Sequence, residues 1–240
     1  MDEENEIGAG SFGRCYPGHY REEFNILVKV INAKDSSFAE RERAKHEVIY
    51  EVTVILRVGD HPRIPYLFGV CSEQSPVCLV LQLYTVEGHS TTPSKAVRTG
   101  IIPTEADCVN ALQKTCNALM FLLNRGYLHG NLKGNNVVIA GSTHKPVIID
   151  FGKSQEIAKA IWPKPKVNFE KARKHYPRDA SELHRGERPS IASNIFSFGA
   201  LILKVLEDRG FQIFSVKDIA ERCMSTTPAK RPELSKVIKS

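Results

Sequence analysis

The 240-residue chain predicts an α+β fold in two lobes, a small antiparallel β-sheet with one helix followed by a larger, mainly α-helical part. Three observations carry that expectation. Residues 5–31 alternate strand-like runs with tight turns, residues 36–58 carry an apolar stripe at helical spacing, and beyond the loop VEGHSTTPS (86–94) long helical patterns replace the strands. The change of character near 84–90 sets the expected boundary: one domain over 1–240, with a small lobe over 1–84 and a large lobe over 85–240. With 42% hydrophobic and 25% charged residues there is material for a core of this size, and no repeat or low-complexity tract points to another architecture.

The elements follow in order. NEIGAG, RCYPGHY and FNILVKVI read as three strands, the last from its β-branched content. SSFAERERAKHEVIYEVTVILRV reads as a helix with Ser36 or Ser37 as N-cap and a stripe at Val48, Val52, Ile55 and Leu56; HPRIP ends it. YLFGVC and VCLVLQLY are strands around the turn SEQSP. TEADCVNALQKTCNALMFLLNRG is a helix from an N-cap at Thr104 to Gly126, and NVVIA and KPVIID pair around GSTH. Residues 151–190 read as irregular. ASNIFSFGALILKVLEDRG, almost wholly apolar, is a central buried helix, and VKDIAERCM is a further helical stretch.

Charge and cysteine usage exclude some functions. The net charge of +6 is moderate and its cations are scattered, densest over 159–188, so a solvated basic loop is favoured over a nucleic-acid surface. No run approaches 18 apolar residues and the acidic N-terminus lacks an apolar signal region, so no membrane association is expected. The six cysteines form no CxxC pair and four lie in apolar runs, which fits a reducing compartment and a cytoplasmic location; a fragment of a longer protein would read the same way.

Four motifs carry chemistry. GAGSFG (8–13) lies between two strands, where glycine amides can wrap a phosphate, although a plain hairpin turn has the same composition. Lys29 sits within ILVKVI among apolar neighbours, and Glu51 or Glu47 on the next helix could hold it; Glu51 is preferred. Asp150 follows a fully apolar strand in IIDFGK, and Asn136 precedes the partner strand, so the two could meet and offer oxygens suited to Mg²⁺, or simply cap a turn. HGNLKGNN (129–136) places a histidine, a lysine and three asparagines between apolar runs.

Taken together these motifs resemble the eukaryotic protein kinase superfamily over essentially the whole chain. The glycine loop, the lysine of ILVK, a helix glutamate, HGNLKGNN in the place of HRDLKxxN, and DFG follow in the family's order. ASE (180–182), SNIFSFG (193–199) and PAKRP (228–232) match its later elements. The resemblance implies that Gly8, Gly10 and Gly13 cover phosphates, that Lys29 paired to Glu51 contacts them, and that Asn136 and Asp150 hold Mg²⁺. Leu81 would be the gatekeeper, the Gln82 carbonyl and Tyr84 amide would face adenine, and Cys15, Leu27 and Val138 would line the nucleotide pocket. Ile55, Leu67, His129 and Phe151 fall on the regulatory spine, and Glu182 with Arg231 on a buried ion pair.

The departures are as informative. Asn131 stands where the family has its catalytic aspartate, and an amide orients a hydroxyl without accepting its proton. Gly130 replaces an arginine that grips a phosphorylated activation loop, and Asn194 replaces an aspartate that anchors the catalytic loop. Leu27 puts bulk above the adenine site in place of alanine, and Cys15 replaces a valine. The short interval from Gly199 to Arg231 leaves no room for one of the family's helices, while Lys133 implies a serine/threonine-type ancestry. The leading expectation is a pseudokinase that binds ATP and Mg²⁺ and acts on a protein partner as scaffold or allosteric regulator. The alternatives are a low-activity serine/threonine kinase, including one inactivated deliberately at Asn131, and a small-molecule phosphotransferase, whose loop can read HGDxxxxN.

Overall fold

A computed structural model of the chain describes residues 6–10, 13–21, 24–31, 37–73, 76–141, 144–161 and 174–237. Its N-terminal part is a five-stranded antiparallel sheet, β1 (Gly8–Gly10), β2 (Gly13–Tyr20), β3 (Phe24–Val30), β4 (Leu67–Cys71) and β5 (Cys78–Gln82), in spatial order β1-β2-β3-β5-β4. Alternation along β3 gives the sheet two distinct faces. Ile26, Val28 and Val30 pack on one side with Tyr16, Phe68 and Val80, while Leu27 and Lys29 point the other way.

Helix α1 (Phe38–Val58) covers that second face. Ser37 caps it in a reciprocal box, accepting from the Glu40 amide while the Glu40 carboxylate accepts from the Ser37 amide at 2.8 Å, and Gly59 ends it with a positive φ of 81°. The buried arc runs through Ala44, Val48, Glu51, Val54, Ile55 and Val58. Leu56, expected in the stripe, is 66% exposed. At about 100° per residue it sits roughly 140° around the helix from Glu51, outside the arc.

The larger part is helical. α2 (Pro93–Thr99) begins inside the loop expected over 86–94, where Thr92 caps it by accepting from the Lys95 amide, Pro93 fits its first position, and Gly100 closes it in the left-handed region. α3 (Glu105–Asn124) starts at its Thr104 cap as expected. Two short ladders follow, β6 (Tyr127–Leu128) with β9 (Gln155–Glu156), and β7 (Val137–Ala140) with β8 (Lys145–Ile148). Within the expected irregular stretch, β9 and a one-turn helix α4 (Ser181–His184) are ordered.

α5 (Ile191–Arg209) is the central helix, capped by Ser190 and buried at ten positions. It packs on α2, α3 and α6 (Phe214–Cys223). The α5–α6 approach is tight enough to need Gly199, where an added Cβ would stand 2.7 Å from both the Ala220 oxygen and the Cys223 Cβ. Among the described residues α6 is the one α-helix between α5 and Arg231, in keeping with the short interval seen in the sequence. No helix among the described residues is long and apolar enough to cross a membrane.

Candidate functional site

The site begins with Lys29. Its ammonium donates to Glu51 Oε2 at 2.7 Å and reaches Asp150 Oδ1 at 3.4 Å. Glu47, the competing partner, accepts instead from Arg43 at 3.1 Å on the exposed side of α1. Glu51 is 3% exposed, and its second oxygen accepts from the Phe151 amide at 3.2 Å. One buried carboxylate thus ties together β3, α1 and the segment after β8. Burial works against the charge on Lys29, but the Glu51 and Asp150 carboxylates outweigh it and hold the lysine above its ordinary value.

Asp150 adopts φ 67°, a left-handed conformation uncommon outside glycine and a mark of a position held by its surroundings. Its second oxygen accepts from Asn136 Nδ2 at 3.3 Å. Asn136 donates also to the Asn131 carbonyl at 2.8 Å, while its own carbonyl accepts from the Ile149 amide at 2.9 Å. The two residues therefore meet at the end of the β7–β8 hairpin. Among the described residues no three His, Cys, Asp or Glu side chains gather into a metal cage. A divalent cation here would share the oxygens of Asp150 and Asn136 with those of a ligand, and this is how Mg²⁺ is usually held beside phosphates.

HGNLKGNN folds beneath this corner. His129 is fully buried, with its ring edge-on to Phe151 at 5.4 Å. Its Nε2 faces the Ile149 carbonyl at 3.1 Å and its Nδ1 accepts from the Asn131 amide at 3.3 Å, an arrangement that fits the neutral tautomer protonated on Nε2. Burial pushes the imidazole below its ordinary value in the same direction. Asn194 accepts from the His129 amide at 3.1 Å, so the amide still anchors the loop, by one neutral bond. Gly130 lies at φ 71° with the Lys153 carbonyl pressed against it; a Cβ there would stand 2.2 Å from that oxygen. Lys133 lies below its ordinary value, first through burial and then through the nearby Arg178 cation.

These groups line a cleft of about 360 Å³ between sheet and helices, within the range of small-molecule sites. Gly8, Gly13, Cys15 and Leu27 form its roof, Leu81, Gln82 and Tyr84 its back edge, and Val138 its floor. Lys29, Glu51, Asn131, Lys133, Asn136 and Asp150 line its polar end. Gly10 sits on β1. Glycine is required at 13, where φ is 146° and a Cβ would stand 2.1 Å from the Val30 oxygen. Burial pushes the Cys15 thiol up despite the Lys29 charge nearby. Ile7, Ile149 and Lys153 also line the cleft and were not foreseen. Ile7 had a signal, an apolar residue directly before the glycine run, whereas Lys153 had none.

A second polar structure lies at the base of the helical part. Arg231 donates to both oxygens of Glu182, at 2.5 and 2.8 Å, and further to the Ala192 and Ser225 carbonyls, each at 2.9 Å. Its guanidinium stands over the Phe196 ring at 5.0 Å. Burial alone would raise the Glu182 carboxyl, but the Arg231 hydrogen bonds win and hold it below its ordinary value. The pair ties α4 to the segment after α6. Of the cation-dense stretch 159–188, residues 162–173 lie outside the described residues.

Residues 1–215 match the family model "protein tyrosine and serine/threonine kinase". The chain is 22% identical to the human tyrosine-protein kinase TXK over 260 residues, covering 98% of this chain and 46% of that protein. Against mouse TXK it is 25% identical over 203 residues, 85% of this chain and 36% of that one. It is 26% identical over 211 residues to a leaf rust 10 disease-resistance locus receptor-like protein kinase-like protein of Arabidopsis thaliana, 86% of this chain and 30% of that one. The chain thus spans less than half the length of each of these relatives.

Proposed function

We propose that this chain, which belongs to the protein tyrosine and serine/threonine kinase family, is a nucleotide-binding pseudokinase. One observation carries the reading: the Lys29–Glu51–Asp150–Asn136 network is assembled around an open cleft, while position 131 beside it holds an amide. Lys29, charged and fixed at both ends, is placed to meet phosphate oxygens. Asp150 and Asn136 would hold Mg²⁺, which when bound neutralises phosphate charge. The Asn131 side chain can hydrogen-bond a hydroxyl but has no basicity at neutral pH, and loss of a general base typically lowers rate by about 10² to 10⁴. Binding is therefore retained and turnover lost.

The rest of the reading follows from the same division. One domain spans 1–240, with its small lobe over 1–84 and its large lobe over 85–240, and its output is a protein contact that nucleotide binding strengthens or weakens. Lys133 supports a serine/threonine-type ancestry, and six unbridged cysteines support a reducing, cytoplasmic setting. The small-molecule phosphotransferase reading loses ground to the Glu182–Arg231 pair, whose absence would have favoured it.

Thermal shift with ATP, with and without Mg²⁺, run beside autophosphorylation and transfer to a generic basic protein, tests the proposal. The expected result is stabilisation without turnover in the unmodified chain and measurable transfer in Asn131→Asp. The intact Lys29 network favours one competing reading, a low-activity kinase, and robust turnover by the unmodified chain would establish it.

A further inference from the structure

The six cysteines are of two kinds. Cys108, Cys116 and Cys223 are buried, and desolvation pushes their thiols up to about 11, about 12 and about 11 respectively. Cys15, Cys71 and Cys78 are only partly buried, and Cys15 faces the cleft alone. Cys71 and Cys78 face each other. Cys71 ends β4, Cys78 begins β5, and they are direct register partners in the antiparallel ladder.

Register partners project from the same face of a sheet, with Cα atoms about 4.5 or 5.5 Å apart depending on the kind of pair. Both separations fall inside the roughly 4.4–6.8 Å usual between the Cα atoms of a disulfide. Burial first, and then the neighbouring Cys71, push the Cys78 thiol up. Cys78 packs beside Ile26, Val28 and Val30, on the face turned away from Lys29 and the cleft. This places the pair apart from the nucleotide machinery.

We propose that Cys71 and Cys78 form a reversible redox modification site, closing to a cross-strand disulfide on exchange with a low-molecular-weight disulfide such as oxidised glutathione. One thiolate attacks a glutathione sulfur, forms a mixed disulfide and expels one glutathione thiolate. The second cysteine, on losing its proton, attacks the protein sulfur of that mixed bond and expels the other glutathione. In balance, the protein dithiol loses two electrons and two protons, and one oxidised glutathione becomes two reduced molecules. The fold is complete with both thiols reduced, so the bond acts as a sensor of redox state rather than a staple for folding.

The test is a titration of the full chain in glutathione buffers from reducing to oxidising, with acid quenching, alkylation, intact mass and peptide mapping. The expected product lacks two hydrogens, carries a single bridge between the peptides of Cys71 and Cys78, and leaves four alkylatable thiols. Dithiothreitol restores six. Because the bridge restricts the unfolded chain, the thermal midpoint should rise by a few degrees on oxidation. Cys71→Ser should form no bridge and instead hold one glutathione on Cys78; should that variant fail to fold, Cys78→Ala supplies the mirror case, with the adduct on Cys71. Six free thiols in the most oxidising buffer, or a bridge that recruits Cys15, would overturn the assignment. Neither outcome depends on whether nucleotide binds.

Discussion

Two buried carboxylates, Glu51 and Glu182, each 3% exposed, are paired with cations in opposite manners. Arg231 gives Glu182 a two-pronged bond, directs two further donors to backbone carbonyls and lies over an aromatic ring. Lys29 gives Glu51 one bond and turns toward Asp150 at the longer distance of 3.4 Å. The first cation gives four of its five N–H donors to the protein and is buried. The second is held in position with hydrogen-bonding capacity left toward an open cleft. Similar chemistry therefore stands in two settings, and exposure separates them: the Arg231 side chain is wholly buried among protein acceptors, whereas Lys29 is 14% exposed and lines the cleft.

Arg231→Met should produce the largest effect. Leaving Glu182 buried without its partner is expected to cost about 3–5 kcal/mol in urea unfolding, with Arg231→Lys falling between. A stability loss no larger than that of Lys29→Met would erase the contrast. Lys29→Met itself should cost less, about 1–3 kcal/mol, because Glu51 keeps the Phe151 amide. Its larger consequence should be loss of the ATP-induced thermal shift, which Arg231→Met variants that still fold should retain.

Titration sharpens the comparison, since the two pairs should open from opposite ends of the pH scale. Glu182 is held below its ordinary 4.5 when folded, so its contribution is present above that value and fades as pH falls through the folded pKa. The stability gap between the unmodified chain and Arg231→Met should therefore narrow on the acid side. Lys29 is held above its ordinary 10.5, so its contribution is full below that value and is lost as pH rises through the folded pKa. The gap to Lys29→Met should narrow only on the alkaline side. Both are measurable as thermal midpoints across pH. The smallest effect belongs to the pair between Arg57 and Glu156, at 2.7 Å but with the arginine 58% exposed. Arg57→Ala should leave the thermal midpoint unchanged within error.

Much of this arrangement was legible in the sequence because its signals are local. The cap at Ser36 or Ser37, the apolar run before Asp150 and the alternation around Lys29 each follow from neighbouring residues, and the choice of Glu51 over Glu47 rests on the stripe EVTVILRV that begins with it. What escaped notice depended on packing or on weak local signals. Leu56 reads as stripe until the direction of the buried arc is known. The seven residues of α2 are too few to show a periodicity, although Thr92 and Pro93 marked its start. The Lys153 carbonyl that closes on Gly130 comes from 23 positions further along the chain, beyond the reach of any local pattern.

That last contact makes the two altered positions of the HGN motif unequal as targets for protein engineering. Restoring a carboxylate at 131 is an exchange of similar shapes, an amide for an acid at the rim of a cleft. Restoring an arginine at 130 asks for a Cβ where the Lys153 carbonyl already stands, so the backbone of two segments would have to part first. An acid at 131 needs only a like-for-like exchange, whereas any side chain at 130 needs the Lys153 segment to move.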